Sequence, residues 1–196
     1  EMGERQVYKK ENTKKERAII EIPGSEYKDW IGLLKDEFVE AGILSRRDKV
    51  QRGEILHGIL SFIGNLYRQD KKLALSRALQ AARAKFPLIS DSEEYAIIVR
   101  ELLNKDDFAI YFELAQGEVF TEYEVVNRFG DTKRIDRLVI SASEAVVIDY
   151  KSDKYESGDH KEQLRNYMGM IREIYPKLKV RGILVYLDDL SIEEVS

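Results

Sequence analysis

The chain of 196 residues contains no cysteine, and it has no long apolar run. The absence of cysteine excludes disulfides, zinc–thiolate sites and iron–sulfur clusters, and it fits a reducing cytoplasm. No apolar run approaches the roughly 20 residues that a membrane-spanning helix needs. The N-terminal residues are charged, unlike a signal peptide. We therefore expect a cytoplasmic protein without a membrane span.

The composition is that of a folded chain with no internal repeat and no low-complexity segment. Hydrophobic residues make up 43% of the chain, which is enough for a packed core. The net charge of −4 argues weakly against a nucleic-acid coat protein, but it is compatible with an acidic metal pocket beside a local basic track. Because the chain begins at Glu1 instead of methionine, we expect it to be a fragment of a longer protein.

The hydrophobic pattern changes from helical to β near residue 117. We interpret residues 1–18 as a polar tail and 19–196 as a single domain, with a helical part at 19–116 and a sheet-containing part at 117–196. The pattern predicts an α/β fold in which a helical block precedes a central mixed sheet of order β-β-β-α-β flanked by helices. Helices are predicted around 30–38 and at 48–68, 71–85, 91–104 and 159–174, and strands at 119–127, 133–141, 145–151 and 180–187.

Asp149 and Lys151 are the first candidate pair for chemistry. Side chains alternate along a strand, so both should point to the same face of the strand at 145–151. The carboxylate can hold a divalent cation, while the lysine orients the attacking water or stabilises charge on a phosphate. An isolated pair of this kind is also typical of a surface ion pair.

Asp136 strengthens this hypothesis because it lies on a strand face shared with Leu138 and Ile140. A carboxylate on an apolar face is costly unless it is paired or binds a metal. Sequential strands usually pair, which would bring Asp136 beside Asp149 and create an oxygen-rich site for Mg²⁺ or Mn²⁺. The alternative is an ion pair with Arg134 or Arg137.

Other candidate residues come from the predicted helices and the first strand. His57 lies between small residues four positions away on each side, which leaves room around its imidazole, although a lone helical histidine is often structural. Gln163 and Tyr167 are four residues apart and should face the sheet, either beside the metal or as ordinary packing. Glu122 and Glu124 share one strand face, so alternation does not choose between them as a metal-binding acid.

In chain order these residues resemble the motifs of the PD-(D/E)xK nuclease superfamily, and in particular the RecB/AddA-type nuclease domains at the C-termini of helicase–nucleases. The resemblance covers about residues 45–196. Isoleucine, not proline, precedes Asp136, as in many RecB-like members, and the lack of cysteine excludes the subgroup with an iron–sulfur cluster. The residues that carry the resemblance are His57, Glu122, Asp136, Asp149, Tyr150, Lys151, Gln163 and Tyr167.

The resemblance implies a restriction-endonuclease-like core and a role for each matching residue. His57, Asp136 and Asp149 would bind metal directly, together with the backbone carbonyl of Tyr150. Glu122 would bind metal directly or through water, and the acids would act in catalysis with Lys151 as the catalytic lysine. The remaining matches are supporting residues beside the site, namely Gln163 and Tyr167.

The resemblance also implies a Mg²⁺-dependent deoxyribonuclease, with Mn²⁺ as an alternative metal. It would act as an exonuclease on single-stranded DNA within a UvrD/RecB-type helicase–nuclease of DNA repair or recombination, with the motor upstream or on a partner. Arg52, Arg134 and Arg137 are candidates for contacts with DNA. The alternative is a catalytically inactive DNA-binding module with the same fold. A small-nucleotide phosphohydrolase is disfavoured because the chain lacks a G-x-x-x-x-G-K-[ST] loop.

Overall fold

A mixed sheet of five strands carries the C-terminal half of the chain. The computed structural model describes residues 41–87, 92–127, 130–154 and 157–196, with side chains from Lys49 onward. The strand order is β1-β2-β3-β4-β5; β3 and β4 run parallel, and every other neighbouring pair is antiparallel. The strands are β1 Glu118–Val126, β2 Thr132–Ile140, β3 Glu144–Lys151, β4 Lys179–Tyr186 and β5 Ser191–Val195.

The helices are α1 Ala41–Ser61, α2 Lys71–Lys85, α3 Ser92–Asn104, α4 Asp106–Ala109 and α5 Ser157–Ile174. Helix α2 begins where the Asp70 carboxylate accepts the backbone N–H groups of Lys72 and Leu73. It ends just before Pro87, because the residue preceding a proline disfavours helical backbone. No described helix is both long and apolar enough to cross a bilayer.

Each face of the sheet packs against a separate apolar cluster. Helices α1 to α4 cover one face, where Val146, Ile148 and Ile183 are buried. Helix α5 connects β3 to β4 and covers the other face, where Val147 and Leu184 are buried. Strand β3 is almost completely buried because it is central and covered on both sides. The α/β fold with a mixed sheet and flanking helices is therefore confirmed.

The structure differs from the prediction in three elements. The helix predicted at 48–68 ends at Ser61, although Ile63 and Leu66 remain buried and so extend the apolar pattern beyond the helix. Strand β5 was not predicted, since its sequence SIEEV is short and contains two acids. The short helix α4 was also not predicted. The predicted tail at 1–18 and the predicted helix around 30–38 lie outside the described residues.

Candidate active site

Asp136 and Asp149 meet where strands β2 and β3 stop pairing. The ladder between these strands ends with Arg137 opposite Ile148, and one further step in the same register brings Asp136 opposite Asp149. The backbone N–H of Tyr150 donates to Asp136 Oδ2 at 2.9 Å instead of to a strand carbonyl. The carboxylate of Asp136 therefore caps an amide at the point where the strands separate, and it is held beside the end of β3.

Lys151 is held over Asp149 by residues of α5. Its Nζ lies 2.8 Å from Asp149 Oδ2, and it donates to Gln163 Oε1 at 2.8 Å. Gln163 Nε2 in turn lies 2.7 Å from the Tyr167 hydroxyl, to which it donates. The side chains of Asp149 and Lys151 are only 4% and 17% exposed. The structure therefore links four predicted site residues through one ion pair and two hydrogen bonds, which fix the lysine against the acid.

The electrostatics of this centre disfavour ionised Asp149. Burial, followed by the negative charge of Asp136, raises the pKa of Asp149 to about 6, and the nearby Lys151 ammonium only partly offsets this. Two acids placed together in a buried site resist losing both protons unless a cation neutralises them. Perturbed carboxyl groups of this kind are typical of functional sites.

His57 reaches the same centre from helix α1. Its Nδ1 lies 3.4 Å from Asp136 Oδ2, and its ring packs edge-on against Tyr150 with centroids 5.7 Å apart. Burial alone lowers the pKa of His57, but the hydrogen bond to Asp136 and the negative charges of Asp136 and Asp149 outweigh it and raise the pKa. The structure therefore places the predicted histidine beside one predicted acid.

Gly53, four residues before His57, allows α1 to approach the end of β3. A β-carbon at Gly53 would overlap the hydroxyl of Ser152, the residue that follows Lys151. Any other residue at position 53 would force the Ser152 hydroxyl to move, because the helix backbone passes directly against that side chain. Gly53, one of the two small residues predicted to leave room around His57, therefore also sets the distance between helix α1 and strand β3.

Glu122 lies at an irregularity in the hairpin of β1 and β2. Its φ is 51°, and the ladder omits the pair that Glu122 and Asp136 would form. Phe120 and Tyr123 pack against the same apolar cluster although they are three residues apart, so side-chain alternation is interrupted here. Positive φ is uncommon for a residue with a side chain, and such conformations are concentrated at functional sites.

The interruption brings Glu122 into a cleft that His57 also lines. Arg134 Nε lies 2.8 Å from Glu122 Oε2, and the Arg134 side chain is 62% exposed. Glu124 is exposed and does not line this cleft. Of the two acids that alternation left open, Glu122 is the one beside His57.

The donor atoms at this centre fit a hard divalent cation. Asp149 Oδ2 is a buried carboxylate oxygen that forms an ion pair with the Lys151 ammonium at 2.8 Å and has no other hydrogen-bond partner among the described residues, so it keeps acceptor capacity for a cation. Oxygen ligands with one imidazole suit Mg²⁺ or Mn²⁺. Among the described residues, no three acidic or histidine side chains form a ready-made cage. His57 lies beside Asp136, and Asp149 forms an ion pair with Lys151, so the possible metal ligands are His57, Asp136 and Asp149.

Arg137 was predicted to contact DNA, and the structure corrects this. Its side chain is completely buried on the face covered by α1 to α4. It donates to the backbone carbonyls of Ile63, Gly64 and Tyr111 at 2.8, 2.9 and 3.2 Å. Its guanidinium also lies 3.7 Å from the centre of the Phe112 ring. Alternation already places this residue on the face opposite Asp136, where no DNA can reach it.

Arg52 is tied to other elements of the fold. Its Nε lies 3.1 Å from Glu94 Oε1 of α3, and it also pairs with Asp188 in the turn after β4. A contact between Arg52 and DNA would compete with these two ion pairs, and it remains a prediction. The same holds for Arg134, which is held by Glu122 but remains largely exposed.

The cleft beside His57 contains residues that were not predicted. Phe86 and Lys85, at the end of α2, line it together with Ser152. Nothing in the local pattern indicates this, because α2 reaches the site only through tertiary packing. The contact between α1 and the end of α2 is visible at Gly58, where a β-carbon would lie 2.5 Å from the Phe86 ring.

The sheet places one buried acid, one partly buried acid and a lysine at adjacent strand ends, a set that suits metal-assisted hydrolysis of a phosphodiester. The chain matches the model of the PD-(D/E)XK nuclease superfamily over residues 35–194, and it belongs to that superfamily. Members of this superfamily are nucleases, which hydrolyse phosphodiester bonds and generally use divalent metals such as Mg²⁺.

Comparison with individual proteins adds little detail. A solved structure described as "Crystal structure of SSO0001" is similar at 15% identity and a TM-score of 0.29, over 70% of this chain and 65% of that one. No curated protein gives a significant match.

Proposed function

We propose that this domain is a Mg²⁺-dependent deoxyribonuclease whose centre is formed by Asp136, Asp149 and Lys151. The observation that carries the proposal is the buried Asp149–Lys151 pair, held by Gln163 and placed beside a second acid. A catalytic lysine must be held within reach of the reacting atoms, and two residues, Asp149 and Gln163, hold this one. Mn²⁺ is an alternative metal of similar ligand preference.

In this proposal His57, Asp136, Asp149 and the Tyr150 backbone carbonyl hold the metal, and Glu122 binds it directly or through water. When bound, Mg²⁺ supplies an acidified water and offsets negative charge at the phosphate. Lys151 orients the attacking water toward phosphorus, in line with the leaving 3′ oxygen, and stabilises charge on the phosphate oxygens.

Gln163 and Tyr167 act on the reaction through Lys151. Because Gln163 accepts a hydrogen bond from Lys151 and donates one to the Tyr167 hydroxyl, it limits the positions that the ammonium group can take. A held ammonium group loses less freedom as charge develops on the phosphate. We assign both residues as positioning residues.

We further propose that the substrate is single-stranded DNA, that the domain acts as an exonuclease in the cytoplasm, and that it works with a RecB-type helicase motor in DNA repair or recombination. These assignments rest on the resemblance of the ordered motifs. Digestion of 5′- and 3′-labelled single- and double-stranded DNA with Mg²⁺, Mn²⁺ or EDTA tests the metal, the strand state and the polarity. Endonucleolytic products, or a preference for duplex, would contradict the corresponding assignment.

Substitution of Lys151 tests the catalytic centre. We expect Lys151→Ala and Asp149→Ala each to abolish Mg²⁺-dependent cleavage while the circular dichroism spectrum stays that of the wild type. The matched control is Lys154→Ala, since Lys154 is an exposed lysine three residues further on that pairs with Asp189 at 2.8 Å. Full activity in both site variants would contradict the assignment. Binding of DNA by a wild type that never cleaves it would instead support an inactive DNA-binding module.

A further inference from the structure

A cleft of about 450 Å³ adjoins the candidate active site on the side of helix α1. This volume is in the range of sites that hold small ligands. His57 and Glu122 form its border with the metal-binding residues, and the helix backbone at Gly53 and Gly58 forms part of its wall. None of the predicted catalytic steps uses this space.

Phe86 is the aromatic side chain of the cleft. Its ring is partly buried, because it packs against the apolar cluster of this face and meets Gly58 by one edge, and its remaining surface lines the cleft. The Lys85 ammonium lies 5.4 Å from the ring centroid. The cleft therefore presents an aromatic ring and an exposed cation, and His57 lines the same cleft.

We propose that this cleft binds an unstacked nucleobase of a single-stranded nucleic acid, next to the phosphodiester that is cleaved. The base stacks on Phe86, and the adjoining phosphate is drawn to Lys85 and Arg134. Bases stack on aromatic rings whatever their identity, while cations follow the phosphates. This inference rests on the proposed function, because it places the base relative to the cleaved bond.

A second cleft near the candidate active site is less suited to a nucleobase. It has a volume of about 570 Å³ and lies on the other side of Gln163 and Tyr167. Its wall is largely polar and includes Asp159, Glu162 and Asn166. The one aromatic residue of its lining, Tyr167, is buried and is held through its hydroxyl by Gln163. Of these two clefts beside the catalytic lysine, the one at Phe86 suits a base.

The experiment separates base binding from backbone binding. Fluorescence anisotropy in EDTA measures the affinity of a labelled eight-residue oligothymidylate and of the same sugar–phosphate backbone without bases. We expect Phe86→Leu to weaken binding of the oligothymidylate roughly five- to hundredfold, the range that loss of one stacked base produces. We expect Phe86→Leu to leave the affinity for the abasic backbone unchanged. Phe86→Trp should bind both ligands with the affinity of the wild type.

Tyr67→Leu is the matched control, since Tyr67 is an exposed aromatic residue with the Arg68 guanidinium 5.1 Å from its ring, outside the cleft. It should bind both ligands as the wild type does. Equal weakening of both ligands by Phe86→Leu, or no weakening of either, would overturn the inference. If Phe86→Leu weakens binding of the oligothymidylate alone, but the wild type does not cleave DNA with Mg²⁺, the base site stands and the proposed nuclease function is overturned.

Discussion

Replacing Asp149 with asparagine should stabilise the metal-free protein at neutral and alkaline pH. The pKa of this carboxyl is raised from an ordinary value of 3.8 to about 6, so the folded state favours the protonated form. A raised carboxyl pKa means that stability falls as pH rises from about 4 to about 6, and the loss is complete above that range. The shift corresponds to about 3 kcal/mol.

Asparagine keeps the shape of the side chain but cannot ionise. Because Lys151 loses its ion pair in the variant, we expect a net gain of about 1–3 kcal/mol in the free energy of unfolding at pH 8 in EDTA. At about pH 4.5 the gain should fall to less than half, since most of the wild-type carboxyl is then protonated in the folded state. A gain of this size raises the melting temperature by about 2–4 °C for each kcal/mol.

Urea denaturation at both pH values in EDTA, for the wild type and Asp149→Asn, measures this difference. Asp189→Asn is the control, because hydrogen bonds from Lys154 and Ser191 lower the pKa of that carboxyl to about 2, so this variant should show no gain at pH 8. Added Mg²⁺ should stabilise the wild type and leave Asp149→Asn unchanged, because a ligand stabilises only the state that binds it. A variant that is no more stable than the wild type at pH 8, or equally stabilised at both pH values, would refute the reasoning.

Three further predictions concern the surroundings of this carboxyl. His57→Ala should lower the affinity for Mg²⁺ measured by calorimetry, while the control His160→Ala should leave it unchanged. An unchanged affinity in His57→Ala would exclude His57 as a metal ligand. Arg137→Met should lower the free energy of unfolding by about 3 kcal/mol, because three buried carbonyls lose a charged donor, and a loss below about 1 kcal/mol in urea would contradict this. Gly53→Ala should lower the free energy of unfolding by about 1–3 kcal/mol and reduce the rate of cleavage. The control Gly169→Ala, which has open space at the position of its β-carbon, should lower neither quantity.

Much of the sheet could be predicted because its strands alternate clearly and its turns are short. The antiparallel neighbours β2 and β3 follow from the turn between them, and the shared face of Asp149 and Lys151 follows from alternation. The adjacency of the Asp136 and Asp149 strands was predicted because sequential strands usually pair, but the register that sets one acid opposite the other was not predicted. Helix α5 was predicted almost to its ends, since its apolar stripe is strong.

Features that depend on distant contacts could not be predicted. The positive φ of Glu122 is set by the hairpin as a whole, so alternation along β1 gives no sign of it. Helix α1 ends earlier than its apolar pattern suggests because the carbonyls of Ile63 and Gly64 bind Arg137, 73 or 74 residues away. Strand β5 exists only because β4 offers it an edge, since its own sequence is short and half polar.

Asp136 and Arg137 are neighbours on β2 whose side chains lie on opposite faces of the sheet. Asp136 lies at the candidate active site, whereas Arg137 binds backbone carbonyls of the helical block. If β2 paired one residue out of register, the two side chains would exchange faces. The carboxylate would then be buried without its amide and imidazole partners, and the guanidinium would face the metal-binding acids. Both errors are costly, so this pair of opposite charges makes a misregistered sheet unstable as well as inactive. Correct pairing of the strands and a working centre are therefore selected together.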